Sequence, residues 1–210
     1  EPLTVSSSAA RQMEELGQHL YRFYVAFNRL YLDSVRGNQP GWVASMLDQG
    51  KSERVIELGR LNRIKSQVPI VIRPDLMELG DGSFVATELD SVPGGIGLLD
   101  ALTVRYRDIG HDTLGSIKGV VPEFAESLIS VSQKTNPFIA IVVSDESEAY
   151  RAEMSWVGER LNHAGVKAAT VHPRQLDLRD GSIVVRLDDR TERADVIYRF
   201  FELHDLRNIP

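Results

Sequence analysis

Apolar residues recur at three- and four-residue steps near the start of the chain, which predicts a long amphipathic helix. The stripe consists of Met13, Leu16, Leu20, Phe23, Tyr24, Phe27, Leu30 and Tyr31. The serine run at 6–8 offers an N-cap, and Gly37 offers a residue at which the helix can end. We expect the aromatic members to pack in a core, and the alternative is that they stack on a ligand. Two shorter helices are predicted at 40–47 and 52–62.

Between residues 68 and 90 the apolar period changes to two, which predicts strands at 68–77 and 83–90. Gly80-Asp81-Gly82 lies between these strands and predicts a β-hairpin. The glycine-containing turn 91–97 then leads into a helix predicted over 98–106.

Strands and helices alternate in the rest of the chain. Helices are predicted at 122–133 and 146–163, strands at 138–143, 166–171 and 195–200, and a small hairpin around Asp180-Gly181. This alternation predicts a three-layer, Rossmann-like α/β domain with a mostly parallel sheet. The polar stretch 110–119 is interpreted as a boundary, so we expect one domain at 1–118 and another at 119–210.

Composition narrows the function classes. The chain has 210 residues and no cysteine, which excludes disulfides, thiolate metal sites and a cysteine nucleophile. The net charge of -6 disfavours a nucleic-acid partner or an anionic membrane surface. No apolar run is long enough to span a bilayer and no leader marks export, so we expect a cytoplasmic protein without membrane partners. Self-association into a homo-oligomer stays open.

The predicted hairpin brings together charged residues that could bind a metal ion or a substrate. With Asp81-Gly82 as a two-residue turn, Gly80 faces Ser83, and the strand pairs include Asp75 with Glu88 and Arg73 with Asp90. One face then carries Arg73, Asp75, Met77, Ala86, Glu88 and Asp90. The opposite face carries Ile72, Val85, Thr87 and Leu89, and is apolar enough to pack on a core.

Three carboxylates and one guanidinium on a single face have two interpretations. Mg²⁺ prefers one or two carboxylates together with phosphate oxygens and water, and an arginine can hold a carboxylate or a phosphate. Backbone N–H groups of the turn Pro93-Gly94-Gly95 could approach an anion at the start of the next helix. The alternative is a solvated face whose cross-strand ion pairs contribute little.

The segments Arg73-Pro74-Asp75-Leu76-Met77 and Glu88-Leu89-Asp90-Ser91-Val92-Pro93-Gly94-Gly95-Ile96 resemble the first half of a circularly permuted ATP-grasp ligase. The chain is similar to the group that contains glutathione synthetase and glutathionylspermidine synthetase. The family pattern has an Arg-x-Asp-x-Met strand, then Glu-x-Asn, then a glycine-rich turn. The resemblance is specific over residues 73–98 and loose elsewhere.

The resemblance implies an ATP-dependent carboxylate-amine ligase that forms an acyl phosphate, with ATP and Mg²⁺ as cofactors. It implies small-molecule carboxylate and amine substrates as partners. It assigns the metal to Glu88 and Asp90, where Asp90 replaces the family asparagine and adds a charge. The resemblance also implies that Arg73 contacts the acceptor substrate or a phosphate, and that Met77 contacts ATP. It implies that the turn Pro93, Gly94 and Gly95 lines the region that holds the acyl phosphate and the substrate.

The second half of the chain resembles the substrate-binding α/β domain of the same family. Its last strand resembles the one whose arginine reaches a substrate carboxylate, which assigns that role to Arg199. Glutathione synthetases have serines in the glycine-rich turn where this chain has Pro93 and Gly95, so glutathione precursors are not assigned as substrates. The family's nucleotide lysines and flexible lid belong to later sequence, so we expect this chain to be a fragment that does not turn over ATP alone.

Two further hypotheses stand beside the ligase. A non-catalytic α/β module could bind a small acidic ligand or a partner chain, with the hairpin serving only as structure. A dinucleotide-binding domain is disfavoured, because Ser144-Asp145-Glu146-Ser147 follows the strand 138–143 without a glycine and with two acids. The histidines lack paired metal-ligand spacing and are interpreted as surface or capping residues.

Overall fold

The computed structural model describes residues 2–115, 118–202 and 205. It has a mixed α/β fold with N-terminal helices, a two-stranded antiparallel hairpin and a parallel three-stranded sheet flanked by helices, which confirms the predicted fold class. The helices are α1 (Ser7–Val35), α2 (Gly41–Asp48), α3 (Glu53–Gly59), α4 (Ile96–Asp108), α5 (Val120–Ser132) and α6 (Arg151–His163). The strands are β1 (Arg73–Glu78), β2 (Phe84–Asp90), β3 (Ile139–Val143), β4 (Ala168–Val171), β5 (Leu176–Arg179), β6 (Ser182–Arg186), β7 (Thr191–Arg193) and β8 (Val196–Phe200).

The chain divides into two compact units, one spanning Leu3–Ser91 and the other beginning at Val92. Helix α4 belongs to the second unit, where it packs against α5 and α6. The sequence-based boundary near residue 118 stays a prediction, because a unit of dense packing need not coincide with a domain that folds alone. None of the helices in the described ranges is both long and apolar enough to cross a membrane.

In the first unit, α1 begins as predicted, with the Ser6 hydroxyl accepting a hydrogen bond from the Ala9 N–H at 3.1 Å. The expectation that its aromatic residues fill a core is wrong for two of them. Phe23 and Phe27 are 50% and 40% exposed. Their rings stack on each other with centroids 5.7 Å apart, so they shield one another rather than a buried interior.

Three polar side chains tie the helices of the first unit together. The Tyr31 hydroxyl of α1 donates to Oδ1 of Asp48 in α2 at 2.8 Å. Arg60, which follows α3, donates from Nη2 to Asp48 Oδ2 at 2.6 Å and from Nε to the Tyr31 hydroxyl at 3.0 Å. Burial raises the pKa of Tyr31, so the phenol stays protonated and able to donate.

The second unit is built on the parallel sheet β4-β3-β8. Every residue of β3 is buried, as expected for a central strand covered on both faces. Ala140 and Val142 pack with Val185 of the antiparallel sheet β5-β6-β7. On the helical side, the Phe124 ring of α5 meets Tyr198 of β8 edge to face at 5.0 Å.

Helices α4, α5 and α6 meet at one buried carboxylate. Asp100 of α4 has no exposed surface. Its Oδ1 accepts a hydrogen bond from the Val121 N–H at 3.1 Å, which caps the first turn of α5. Its Oδ2 accepts from Nε of Arg160 in α6 at 2.9 Å. A carboxylate removed from water must be paired in this way to be tolerated.

Asp195 joins the starts of β3 and β8. Its carboxylate accepts a hydrogen bond from the Phe138 N–H at 3.0 Å and forms an ion pair with Lys134. Burial acts to raise the pKa of Asp195, but the hydrogen bonds from Lys134 and Phe138 outweigh it and hold the pKa below its usual value. The ionised form is therefore bound more favourably in the folded state than in the unfolded chain.

Replacing Asp100 by alanine should lower the free energy of unfolding by about 3 kcal/mol, because Arg160 and the Val121 N–H both lose their partner. Urea denaturation measures the change. Asp108→Ala, at the exposed end of α4, is the control and should cost less than about 1 kcal/mol. Equal stability of the two variants would show that the buried carboxylate does not hold the three helices.

Asp195→Ala should lower the free energy of unfolding at pH 7 by about 1–2 kcal/mol. Because the folded-state pKa is depressed, this contribution is complete above the unfolded value of about 3.9 and is lost as the pH falls through the folded value. Urea denaturation from pH 7 to pH 3 should show wild type and variant converging in acid. A difference that stays constant across this range would contradict the assignment.

Candidate functional site

Strands β1 and β2 pair antiparallel, with Arg73 opposite Asp90 and Asp75 opposite Glu88. These two predicted pairs are confirmed. Paired residues share a face of the hairpin, and so do alternate residues of one strand. One face, which we call the acidic face, therefore carries Arg73, Asp75, Glu88 and Asp90.

The predicted turn is wrong by one residue. Leu79, not Gly80, lies opposite Ser83, and its N–H donates to the Ser83 carbonyl at 2.8 Å. The loop therefore contains Gly80, Asp81 and Gly82, with Gly82 at φ +78°. Three-residue hairpin loops commonly place a glycine in this left-handed conformation. The Asp81 carboxylate steadies the loop by accepting from the Ser83 N–H at 2.9 Å.

A β-bulge restores the predicted register at the base of the hairpin. Leu76 pairs with Ala86 and Asp75 pairs with Glu88, so Thr87 is an extra residue in β2. Between the bulge and the tip, faces are exchanged relative to the prediction. The prediction put Ala86 on the acidic face, but Ala86 lies on the opposite face, where it pairs with Leu76. The prediction put Val85 on the opposite face, but Val85 pairs with Met77 on the acidic face. Met77 lies on the acidic face as predicted and is 56% exposed.

Arg73 is the electrostatic centre of this face. Its Nε lies 3.4 Å from Asp75 Oδ1, and its Nη2 lies 3.5 Å from Asp90 Oδ2. The guanidinium thus bridges a carboxylate of its own strand and one of the neighbouring strand. The three side chains are between 29% and 53% exposed, so water screens both pairs and their contribution to stability is small.

The carboxylates of the acidic face suit a metal ion that takes only some of its ligands from the protein. Among the described residues there is no group of three or more histidine, aspartate or glutamate side chains that could hold a metal ion. Glu88 and Asp90, two residues apart on one strand face, offer two carboxylates. Mg²⁺ accepts such a pair when phosphate oxygens and water complete its coordination, so these residues fit a phosphate-bound Mg²⁺.

The turn Pro93-Gly94-Gly95 lies in the second unit, at the start of α4. Gly95 has φ +93° and is the N-cap of α4. A side chain at Gly94 would place Cβ only 2.4 Å from Cε1 of Tyr150, so the backbone packs directly on that ring. The Tyr150 ring in turn meets Phe200, at the end of β8, with centroids 5.3 Å apart.

Arg199 occupies β8 in register with Val142 of β3. Its guanidinium lies 5.3 Å from the centre of the Phe201 ring and donates to the Phe201 carbonyl. Burial lowers the pKa of Arg199, with the charge of Glu202 acting in the opposite direction. A partly desolvated guanidinium on an aromatic ring is a favourable partner for a carboxylate.

The carboxyl edge of the parallel sheet carries a second polar group that the sequence did not single out as a cluster. Asp145 follows β3, and its Oδ1 lies 3.0 Å from Nε2 of His172, which follows β4. His172 Nδ1 accepts the Arg174 N–H at 3.1 Å, so the neutral ring carries its proton on Nε2 and donates to Asp145. His172 also caps the short 3-10 turn at 173–175, which confirms its interpretation as a capping residue.

The described residues that the sequence analysis missed act across long chain separations. Tyr150 packs on Gly94, and Glu153 accepts a hydrogen bond from the Gly97 N–H. Nothing in the local sequence marks either residue, because both partners lie more than fifty positions away. The glycines at 94 and 97 indicate that other groups approach the backbone closely at these positions, but they do not indicate which residues supply those groups.

The chain matches no protein-family model, and no match was found among curated proteins.

The hairpin carboxylates should be dispensable for folding. Glu88→Gln and Asp90→Asn should each change the free energy of unfolding by less than about 1 kcal/mol, because both belong to a partly exposed, water-screened face. Urea denaturation measures this, with Leu89→Ala in the same strand as a control that should cost more. A loss comparable to that of Leu89→Ala would assign the acidic face a structural role.

Proposed function

We propose that the chain supplies the metal-binding hairpin and the substrate-binding α/β unit of an ATP-dependent carboxylate-amine ligase of the circularly permuted ATP-grasp type. The observation that carries this proposal is the gathering of Arg73, Asp75, Glu88 and Asp90 on one hairpin face. This face carries three carboxylates and one guanidinium, so Arg73 cannot neutralise all of its negative charge, and the excess favours a cation.

In the proposed reaction a substrate carboxylate receives the γ-phosphoryl group of ATP, and an amine then displaces phosphate from the acyl phosphate. Mg²⁺ bound with ATP would supply charge neutralisation for the transferred group. Glu88 and Asp90 would hold that cation. Arg73 would keep the Asp75 and Asp90 carboxylates in place through its two ion pairs. In the second unit, Arg199 would pair with a substrate carboxylate.

The structure also offers a reason to keep a second candidate. Arg73 is already engaged by two carboxylates of its own hairpin, as it would be in a purely structural ribbon. The second candidate is a non-catalytic α/β module that binds a small acidic ligand or a partner chain. Arg199 would be its anion contact.

The ligase proposal predicts Mg²⁺-dependent ADP release from ATP by the full product of the gene in the presence of a carboxylate and an amine. Glu88→Gln should lower the rate by about 100-fold or more, because the lost ligand leaves transition-state charge less well compensated. Glu78→Gln is the matched control, since it removes a hairpin carboxylate that shares no face with Glu88. A rate unchanged in Glu88→Gln would exclude Glu88 as a metal ligand.

Calorimetry separates the two candidates. Mg-ATP titrated into the full gene product should release or absorb heat if the protein is a ligase, and Glu88→Gln should weaken that binding. A non-catalytic module should give no heat with Mg-ATP.

A further inference from the structure

The N-terminus of α4 already holds a carboxylate of the protein. The first N–H groups of a helix have no acceptor within the helix. Gly97 is the second residue of α4, and its N–H donates to Oε1 of Glu153 at 2.9 Å. Glu153 lies in the first turns of α6, fifty-six residues further along the chain. The helix end that the sequence analysis considered for an anion is thus in contact with an internal anion.

The packing around this contact leaves no room for a side chain at Gly94 or Gly97. A Cβ on Gly97 would lie 2.8 Å from Cγ of Glu153 and 2.9 Å from its carbonyl oxygen. A Cβ on Gly94 would overlap the Tyr150 ring. Two glycines therefore allow the start of α4 and the turn before it to lie directly on the segment that runs from Tyr150 into α6.

The N-terminus of α4 can hold only one anion, either the Glu153 carboxylate or a phosphate. A helix N-terminus favours one negative group, and a phosphate and a side-chain carboxylate would use the same N–H donors. With Glu153 on the Gly97 N–H, a phosphate at this end would have to displace the carboxylate or accept its repulsion. Gly97 is buried, which further limits the approach of an external anion.

We propose that Glu153 is a positioning residue that holds the first turn of α4 against α6 and closes the N-terminus of α4 to phosphate. The turn Pro93-Gly94-Gly95, packed on Tyr150, then does not serve as a phosphate-binding loop. Any phosphate that the protein binds must use other groups. This inference concerns the α4–α6 contact alone and holds whether or not the chain belongs to a ligase.

The positioning role is tested by hydrogen exchange at the Gly97 amide in the isotope-labelled chain, followed by NMR. In Glu153→Ala the Gly97 amide should exchange about tenfold faster or more, because the bond to a charged acceptor is its protection. Glu153→Gln retains an acceptor oxygen and should show a smaller increase. Glu159→Gln removes an exposed charge from the same helix and should leave Gly97 unchanged. Equal exchange in wild type and Glu153→Ala would overturn the positioning role.

The proposal that Glu153 keeps phosphate from the N-terminus of α4 is tested by titrating inorganic pyrophosphate into the same samples. Wild-type resonances of Ile96 and Gly97 should not shift, whereas in Glu153→Ala they should shift with saturation. Saturable shifts of these two amides in the wild-type chain would overturn the closure, and this arm does not depend on any variant folding. Failure of the ligase proposal would show instead as absent Mg-ATP binding by the full gene product.

Discussion

The carboxylate of Asp100 and the guanidinium of Arg160 form the interaction on which the helical layer of the second unit depends. Asp100 has no access to water, so its two oxygens depend on the hydrogen bonds from Arg160 and the Val121 N–H to replace those of water. Helix α6 also provides Glu153, so it fixes α4 at its side and at its start. The turn that precedes α4 lies against the same segment, because Gly94 packs on Tyr150 just before α6.

The pairs at the base of the hairpin agree with the prediction only because two departures from it cancel: the loop is one residue longer, and Thr87 bulges from β2. Alternation of side chains indicates which residues of one strand share a face, but it does not fix the register between two strands. The dipeptide Asp-Gly is compatible with loops of two or three residues. At Asp180-Gly181 it forms the two-residue turn, with φ of +49° and +71°. At Asp81-Gly82, which Gly80 precedes, the loop is one residue longer.

The features that escaped prediction depend on tertiary contacts. The three- and four-residue spacing of α1 correctly indicated a helix, yet spacing alone does not show how much of a stripe becomes covered, and Phe23 and Phe27 remain half exposed. Glu153 lies in a segment that the sequence predicts only as a helix. Its role becomes visible only when α4 lies beside it, because the partner is a backbone N–H that carries no side-chain signal. Carboxylate–backbone contacts of this kind have no pattern in a single sequence.

The extra residue Thr87 has a consequence for how the hairpin tolerates changes in length. The longer loop displaces the strands by one position, and Thr87 displaces them back before the acidic pairs are reached. The ribbon therefore contains two offsets of opposite sign, separated by the segment in which Leu76 pairs with Ala86. Because Thr87 has no partner in β1, a chain that lacks it keeps Leu76 opposite Ala86 and Asp75 opposite Glu88 in a regular ladder. A loop shortened to two residues likewise keeps Leu79 opposite Ser83, so the acids stay on one face after either deletion.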